Sequence, residues 1–247
     1  MTTIAAEGLH CAVPHVAMER VQLGHGSGGR MSAALIDGLF VRALDNPALA
    51  QLGDGAVVTA GAEELVVSTD SFVVSPLEFP GGDIGSLAVH GTLNDVAMMG
   101  ARPVCLTAGF VLEEGLQMDL LDRVVTSMAR AARAAGVPIV AGDTKVVERG
   151  KADGLYVNTT GVGVVDPRCR PGPRLARAGD VVIASGAIAR HGMAIMAARE
   201  SLAFESTITS DSACLVPLVD RLKACGAHVH VLRDPTRGGV ASALNEI

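Results

Sequence analysis

The stretch from Ile84 to Gly100, IGSLAVHGTLNDVAMMG, constrains the fold more than any other part of this sequence. Pro80-Gly81-Gly82 precedes it and Gly100 closes it, so a helix starting near Asp83 is expected. At about 100° per residue, Ile84, Leu87, Ala88, Asn94, Asp95 and Met98 share one face. Val89, Leu93 and Val96 lie opposite. A helix that is apolar nearly all round is a buried helix, so other elements must cover it from several sides. Asp95 is its one charged residue. A lone buried carboxylate is costly unless a cation compensates it. An arginine such as Arg102 would serve, and so would a metal ion.

Around this helix, strand-like and helix-like runs alternate, as in an α/β protein. Leu65-Val66-Val67 reads as a strand ending at Ser68-Thr69-Asp70, and Pro103 to Phe110 as another. Leu120, Leu121, Val124, Val125, Met128, Ala132 and Ala135 recur at helical spacing until Gly136. Val137 to Ala141 reads as a short buried strand delivering Gly142-Asp143, and Leu155 to Val165 as a strand among strands. The run Asp166 to Arg174 holds three prolines and three arginines and is the best domain boundary. Beyond it, Asp180 to Ser185 and His228 to Leu232 read as strands, Gly192 to Arg199 as a helix, and Asp211 as the cap of a helix running to Ala224. Three parts are expected: a lead-in over 1–20, a first domain over 21–165 and a second over 166–247. In the last helix Val240, Leu244 and Ile247 form an apolar stripe that no stop signal closes, so the chain reads as cut inside its second domain.

Composition narrows the function. The chain is 49% apolar but 2% aromatic, and its net charge is −6. Both count against nucleic-acid binding, which uses aromatic platforms and a basic surface. No apolar run approaches a bilayer span, and five cysteines without a CxxC pair fit a reduced, cytoplasmic protein. His10, Cys11 and His15 can be drawn as metal ligands, although a plain lead-in accounts for them as well.

Acidic residues recur at one kind of place. Asp54 follows Leu52-Gly53, Asp70 ends a strand-like run, and Asp143 ends another. With Asp95 they make a set of hard oxygen donors of the kind magnesium takes together with substrate phosphates. Gly24-His25-Gly26-Ser27-Gly28-Gly29-Arg30 is either a phosphate-wrapping loop or a hinge before a helix from Met31 to Leu44. Lys145, two residues beyond Asp143, is a phosphate contact, a proton-transfer group or a surface lysine. Asp234-Pro235-Thr236-Arg237-Gly238-Gly239 opens the last helix, where Arg237 and free N–H groups favour an anion and Asp234 can reach a cation.

Read together, these residues resemble the HypE family of hydrogenase maturation proteins within the PurM-type ATP-binding superfamily. The resemblance rests on His25 to Met31, Ser68 to Pro103, Ala108 to Gly115, Ala141 to Gly150 and Asp234 to Ile247. It implies a PurM-like α/β (α+β) chain of two domains, the first with a mixed sheet that dimerises and the second incomplete here. ATP would lie in the cleft, with Mg2+ on Asp54, Asp70, Asp95 and Asp234. Gly26, Ser27, Gly28, Gly29, Thr69, Asn94, Gly142 and Asp143 would line the nucleotide, and Lys145 would be catalytic.

The implied reaction is ATP-dependent dehydration of a carbamoylated cysteine thiol to a thiocyanate, a source of cyanide for nickel–iron hydrogenases. The implied partners are a second copy, a HypF-type carbamoyltransferase and the HypC–HypD iron scaffold. Family chains continue past the position of Ile247 and carry the acceptor cysteine on a flexible tail; a glutamate used beside that cysteine also lies beyond this position. Cys225, the last cysteine here, is a poor substitute. The expectation is therefore a fragment that binds ATP but does not complete the reaction on itself. Two other readings stand beside it. One is a different synthase of the superfamily, which Gly142 to Gly150 disfavours; the other is a non-catalytic dimerising or docking module.

Overall fold

The computed structural model describes residues 20–199, 207–226 and 228–247. His10, Cys11 and His15, and nearly all of the expected lead-in, lie outside the described residues. A short 3-10 turn, Leu23–Gly26, leads into α1 (Arg30–Leu35), a π-helical segment Ile36–Val41 and α2 (Arg42–Leu44). Then come β1 (Ala56–Ala60), β2 (Glu63–Phe72), a small hairpin of β3 (Glu78–Phe79) and β4 (Gly82–Asp83), and α3 (Ile84–Met98). They are followed by β5 (Ala101–Glu113), α4 (Met118–Ala135), β6 (Ile139–Val147) and β7 (Leu155–Val165). After the proline-rich run lie α5 (Arg190–Arg199), α6 (Val216–Ala224) and α7 (Gly239–Asn245).

Five strands form one mixed sheet in the order β1-β2-β7-β5-β6. Every pairing is antiparallel except β5 with β6, which are joined by α4 as a parallel pair requires. Helix α3 begins where its sequence says it should. The Asp83 carboxylate accepts the N–H groups of Gly85 and Ser86 at 2.8 and 3.1 Å, and Ser86 Oγ receives the Asp83 N–H in return. Helix α4 ends at Gly136, whose left-handed backbone is a common helix stop.

Both helices lie on one face of the sheet. Ile84, Ala88, Val89 and Leu93 of α3 pack with Val124 and Met128 of α4 on Leu106, Leu155 and Val157. Helix α3 comes unusually close to β7: a Cβ on Gly163 would stand 2.5 Å from Val96. The Thr92 and Thr159 hydroxyls are 2.6 Å apart at this contact, and Thr159 also donates to the Ala88 carbonyl. Ser68 and Asp70 of β2 share this covered side with Val66, by strand parity. The opposite side of the sheet is open and carries Thr69, Ser71, Asn158 and Thr160.

Several expectations need correction. Asp70 does not end its strand, because β2 continues through Phe72 in register with β7. The strand delivering Asp143 is not buried: β6 is an edge strand, exposed along most of its length. Asp211 does not cap α6, whose N-cap position is Leu215; the Asp211 carboxylate instead accepts the His191 N–H at 3.0 Å. Residues 180–185 and 228–232 form no strands. A strand needs a neighbour to complete its hydrogen bonds, and among the described residues none flanks them. Val181, Val182 and Ile183 are consequently 81%, 75% and 84% exposed. The two segments meet through side chains, with His230 Nδ1 2.8 Å from the Asp180 carboxylate.

Candidate functional site

The turn before β1, the middle of β2, the last turns of α3 and the approach to α7 converge on the covered side of the sheet. They bring Asp54, Asp70, Asp95 and Asp234 near enough to act on one another electrostatically. Burial pushes the Asp95 carboxyl up to about 8, and the charges of Asp70, Asp54 and Asp234 add to the effect. Burial also pushes Asp54 up to about 6, even though the Arg233 guanidinium opposes it. Asp70 and Asp234 are raised for the same first reason, with Arg237 working against the shift at Asp70. Asp95 contacts the Ser68 hydroxyl at 3.0 Å rather than Arg102, and that hydroxyl also lies 2.8 Å from the Asp54 carbonyl. One hydroxyl proton cannot serve both acceptors. A protonated Asp95 donating to Ser68, and Ser68 donating to the Asp54 carbonyl, satisfies all three groups.

Asn94, one residue before, is 5% exposed. Its Nδ2 donates to Asp234 and to the Ala213 carbonyl, both at 3.0 Å, and its Oδ1 accepts the Leu215 N–H at 2.7 Å. It therefore ties α3 to two distant segments of the chain and fixes the Asp234 carboxylate.

The glycine loop lies against the segment leading into α7. Gly28 has φ +76°, and a Cβ there would stand 2.5 Å from the Arg237 carbonyl oxygen. Its own carbonyl accepts from Ser242 Oγ at 2.9 Å, while its N–H donates to Ser32 Oγ at 2.9 Å. The Ser27 hydroxyl donates to the Gly24 carbonyl; Gly26, Ser27 and Gly29 are exposed and Gly28 is half-buried. Gly28→Ala combines left-handed strain with a backbone clash and is expected to cost about 2 kcal/mol or more. Thermal melting checks this; an unchanged midpoint would show that loop and segment part freely.

The structure does not bring every expected site residue to this place. Asp143 and Lys145 lie on the open face of the sheet, opposite the four acids. They form an exposed ion pair at 2.7 Å that holds the Asp143 carboxyl below its usual range. With Ser71, Gly109, Tyr156 and Asn158 they line an open recess of about 320 Å³. Thr69 is on this face too, hydrogen-bonded to Thr160 at 2.9 Å. Gly142 has the opposite parity from Asp143, and a Cβ on it would meet the Ala108 carbonyl at 2.7 Å.

Arg233 escaped the sequence reading. Its guanidinium donates to Asp54 Oδ1 at 2.7 Å and also pairs with Glu246. The available signal was a cation after Val231-Leu232, directly before an acid.

Among the described residues, no three acidic, histidine or cysteine side chains stand close enough to hold a metal by themselves. The donor chemistry nevertheless fits magnesium, which commonly takes one or two carboxylates and completes its shell with water and substrate phosphates.

Residues 52–165 match the family described as AIR synthase related protein, N-terminal domain, and residues 177–247 match its C-terminal domain. The carbamoyl dehydratase HypE of Cupriavidus necator is 57% identical over 230 residues, which cover 92% of this chain and 65% of that protein. This chain thus spans about two thirds of the length of the curated relatives it matches. A HypE–HypF complex contains a chain that is 50% identical with a TM-score of 0.81, covering 86% of this chain and 69% of that one. HypE in complex with ATP is 52% identical with a TM-score of 0.73, covering 92% of this chain and 68% of that one.

Proposed function

The chain belongs to the HypE family of AIR synthase-related proteins, and on that premise we propose that it binds ATP for the dehydration of a carbamoylated thiol. The observation that carries this reading is the set of four raised carboxylates, Asp54, Asp70, Asp95 and Asp234. Their charge is only partly balanced by Arg233 and Arg237, so the site favours added positive charge. Magnesium, when bound, would neutralise triphosphate oxygens beside these acids. The Gly26–Gly29 loop, seated on the segment before α7, would cover the phosphates.

In the proposed reaction the carboxamide oxygen of the S-carbamoyl group takes the γ-phosphoryl group, and ADP leaves. The C–O bond then breaks, phosphate departs with the oxygen, and loss of the two N–H protons leaves S–C≡N. The net change is removal of one water with hydrolysis of ATP to ADP and phosphate. Lys145, whose Nζ donates to both oxygens of Asp143, suits donation to the carboxamide or leaving phosphate oxygen better than proton removal. Because it lies across the sheet from the acids, we assign the open face and the β6 edge to contact with a second copy in a homodimer. A monomer by sedimentation equilibrium would remove that assignment.

None of the described cysteines suits the acceptor role. Cys169 is buried, Cys105 and Cys214 are half-buried, and the exposed Cys225 donates its thiol to the Leu222 carbonyl at a helix end. The thiol is therefore proposed to arrive from another segment, loaded by a HypF-type carbamoyltransferase, with the cyanide passing to a HypC–HypD scaffold. These 247 residues would then bind ATP without completing the reaction on themselves. Calorimetry with Mg-ATP tests the nucleotide site, and the absence of binding heat would overturn it. Adding a carbamoylated cysteine peptide tests the chemistry: mass spectrometry should show loss of one water from the peptide only when ATP is present.

A further inference from the structure

Asp54 and Arg233 form a nearly enclosed ion pair, their side chains 15% and 14% exposed. The guanidinium lies 2.7 Å from Asp54 Oδ1 and occupies a lone-pair position of the carboxylate that a cation would otherwise use. Arginine stays charged at any accessible pH, so it cannot remain beside a divalent ion by giving up its proton. Its other arm already pairs with Glu246, at the end of α7, whose side chain is half exposed. The guanidinium therefore has a second carboxylate to retain if it leaves the first.

We propose that Arg233 is a resident counter-cation for Asp54, displaced toward Glu246 when a divalent metal binds. The proposal rests on the magnesium reading given above. Without a divalent cation Arg233 is a positioning residue, keeping Asp54 aimed at the site and balancing its charge. Metal entry exchanges a bond inside the chain for one to the ion. One of the two links between the Asp54 carboxylate and the segment from Arg233 to Glu246 is thereby opened, the other being the Asp234 backbone N–H, so cation loading is coupled to the seating of α7.

The test uses the whole chain with ¹⁵N-labelled arginine, the Arg233 side-chain signals being identified by their loss in Arg233→Lys. Without metal, the Arg233 guanidinium should show hindered rotation and slow proton exchange. Saturating Mg2+ with a non-hydrolysable ATP analogue should shift the signals and speed their exchange. Calorimetry with Mn2+ and the same analogue should give Arg233→Gln about tenfold tighter metal binding, because the competing cation is gone. No binding heat in the wild-type chain would overturn the metal reading and the exchange with it. Binding that leaves the Arg233 signals unchanged, or an Arg233→Gln affinity equal to or below that of wild type, would overturn the exchange alone.

Discussion

Asp95→Asn is expected to stabilise the metal-free protein while weakening its hold on Mg-ATP. The folded chain raises this carboxyl from an ordinary value of 3.8 to about 8. A group raised on folding contributes its full stability below the unfolded value and loses it as pH climbs through the folded one. The contribution of Asp95 to stability should therefore fall steadily between about pH 4 and pH 8. Asparagine keeps the shape and can still bond to Ser68, but it carries no charge. The difference should be small near pH 4 and grow to about 2–4 kcal/mol by pH 8, or roughly 5–12 °C in melting midpoint for a chain of this size. Calorimetry should show affinity for Mg-ATP falling at least about tenfold in parallel. A variant that melts lower than wild type at pH 8 would mean that Asp95 is held by a compensating partner. Unchanged affinity would remove it from the binding site.

Asn94→Asp should act in the opposite direction and strongly. The substitution removes the amide that donates to Ala213 and Asp234 and sets a second carboxylate about where that amide meets Asp234. A buried carbonyl loses its donor and two acids face each other, for a cost of about 3 kcal/mol or more at neutral pH. The melting midpoint should drop by roughly 6–12 °C. Acidification should restore part of it, because a protonated carboxyl can donate to Asp234 again. Asn94→Ala separates the two effects: it should be destabilised as well, but without recovery at low pH. Equal stability of Asn94→Asp and wild type at pH 8 would show that this side chain does not fasten the segments it touches.

These two neighbours show what a sequence can and cannot disclose. Asp95 was legible because one charge on an otherwise apolar helix is a local contradiction, visible without knowing what packs where. The capped start of α3, the periodic face of α4 and the alternation along β7 were legible for the same reason, as patterns with a period. The work of Asn94 was not legible. Its partners stand at Ala213, Leu215 and Asp234, and nothing local marks a side chain whose bonds are all distant. Asp143 shows a second kind of limit. Its spacing from Lys145 was plain, but which face of the sheet they occupy depends on register, and a shift of one residue reverses it. The extended segments after residue 180 show a third, since strand propensity cannot report whether a neighbour exists. Arg233 was missed because a single basic residue in a loop is ordinary until its partner, Asp54, is known.

The seating of the glycine loop has a consequence for the order of events during synthesis. The Ser242 hydroxyl that holds the Gly28 carbonyl is 214 residues further along the chain. Contacts of such span carry a large entropic cost of closure and form after local structure is in place. On the ribosome, the glycine loop must therefore wait for the segment around Ser242 before it can settle, although the strands of the sheet, the last of which ends at Val165, emerge long before. The pocket proposed for the nucleotide would assemble after the sheet that supports it. An emerging chain with its sheet already formed would still lack a triphosphate seat.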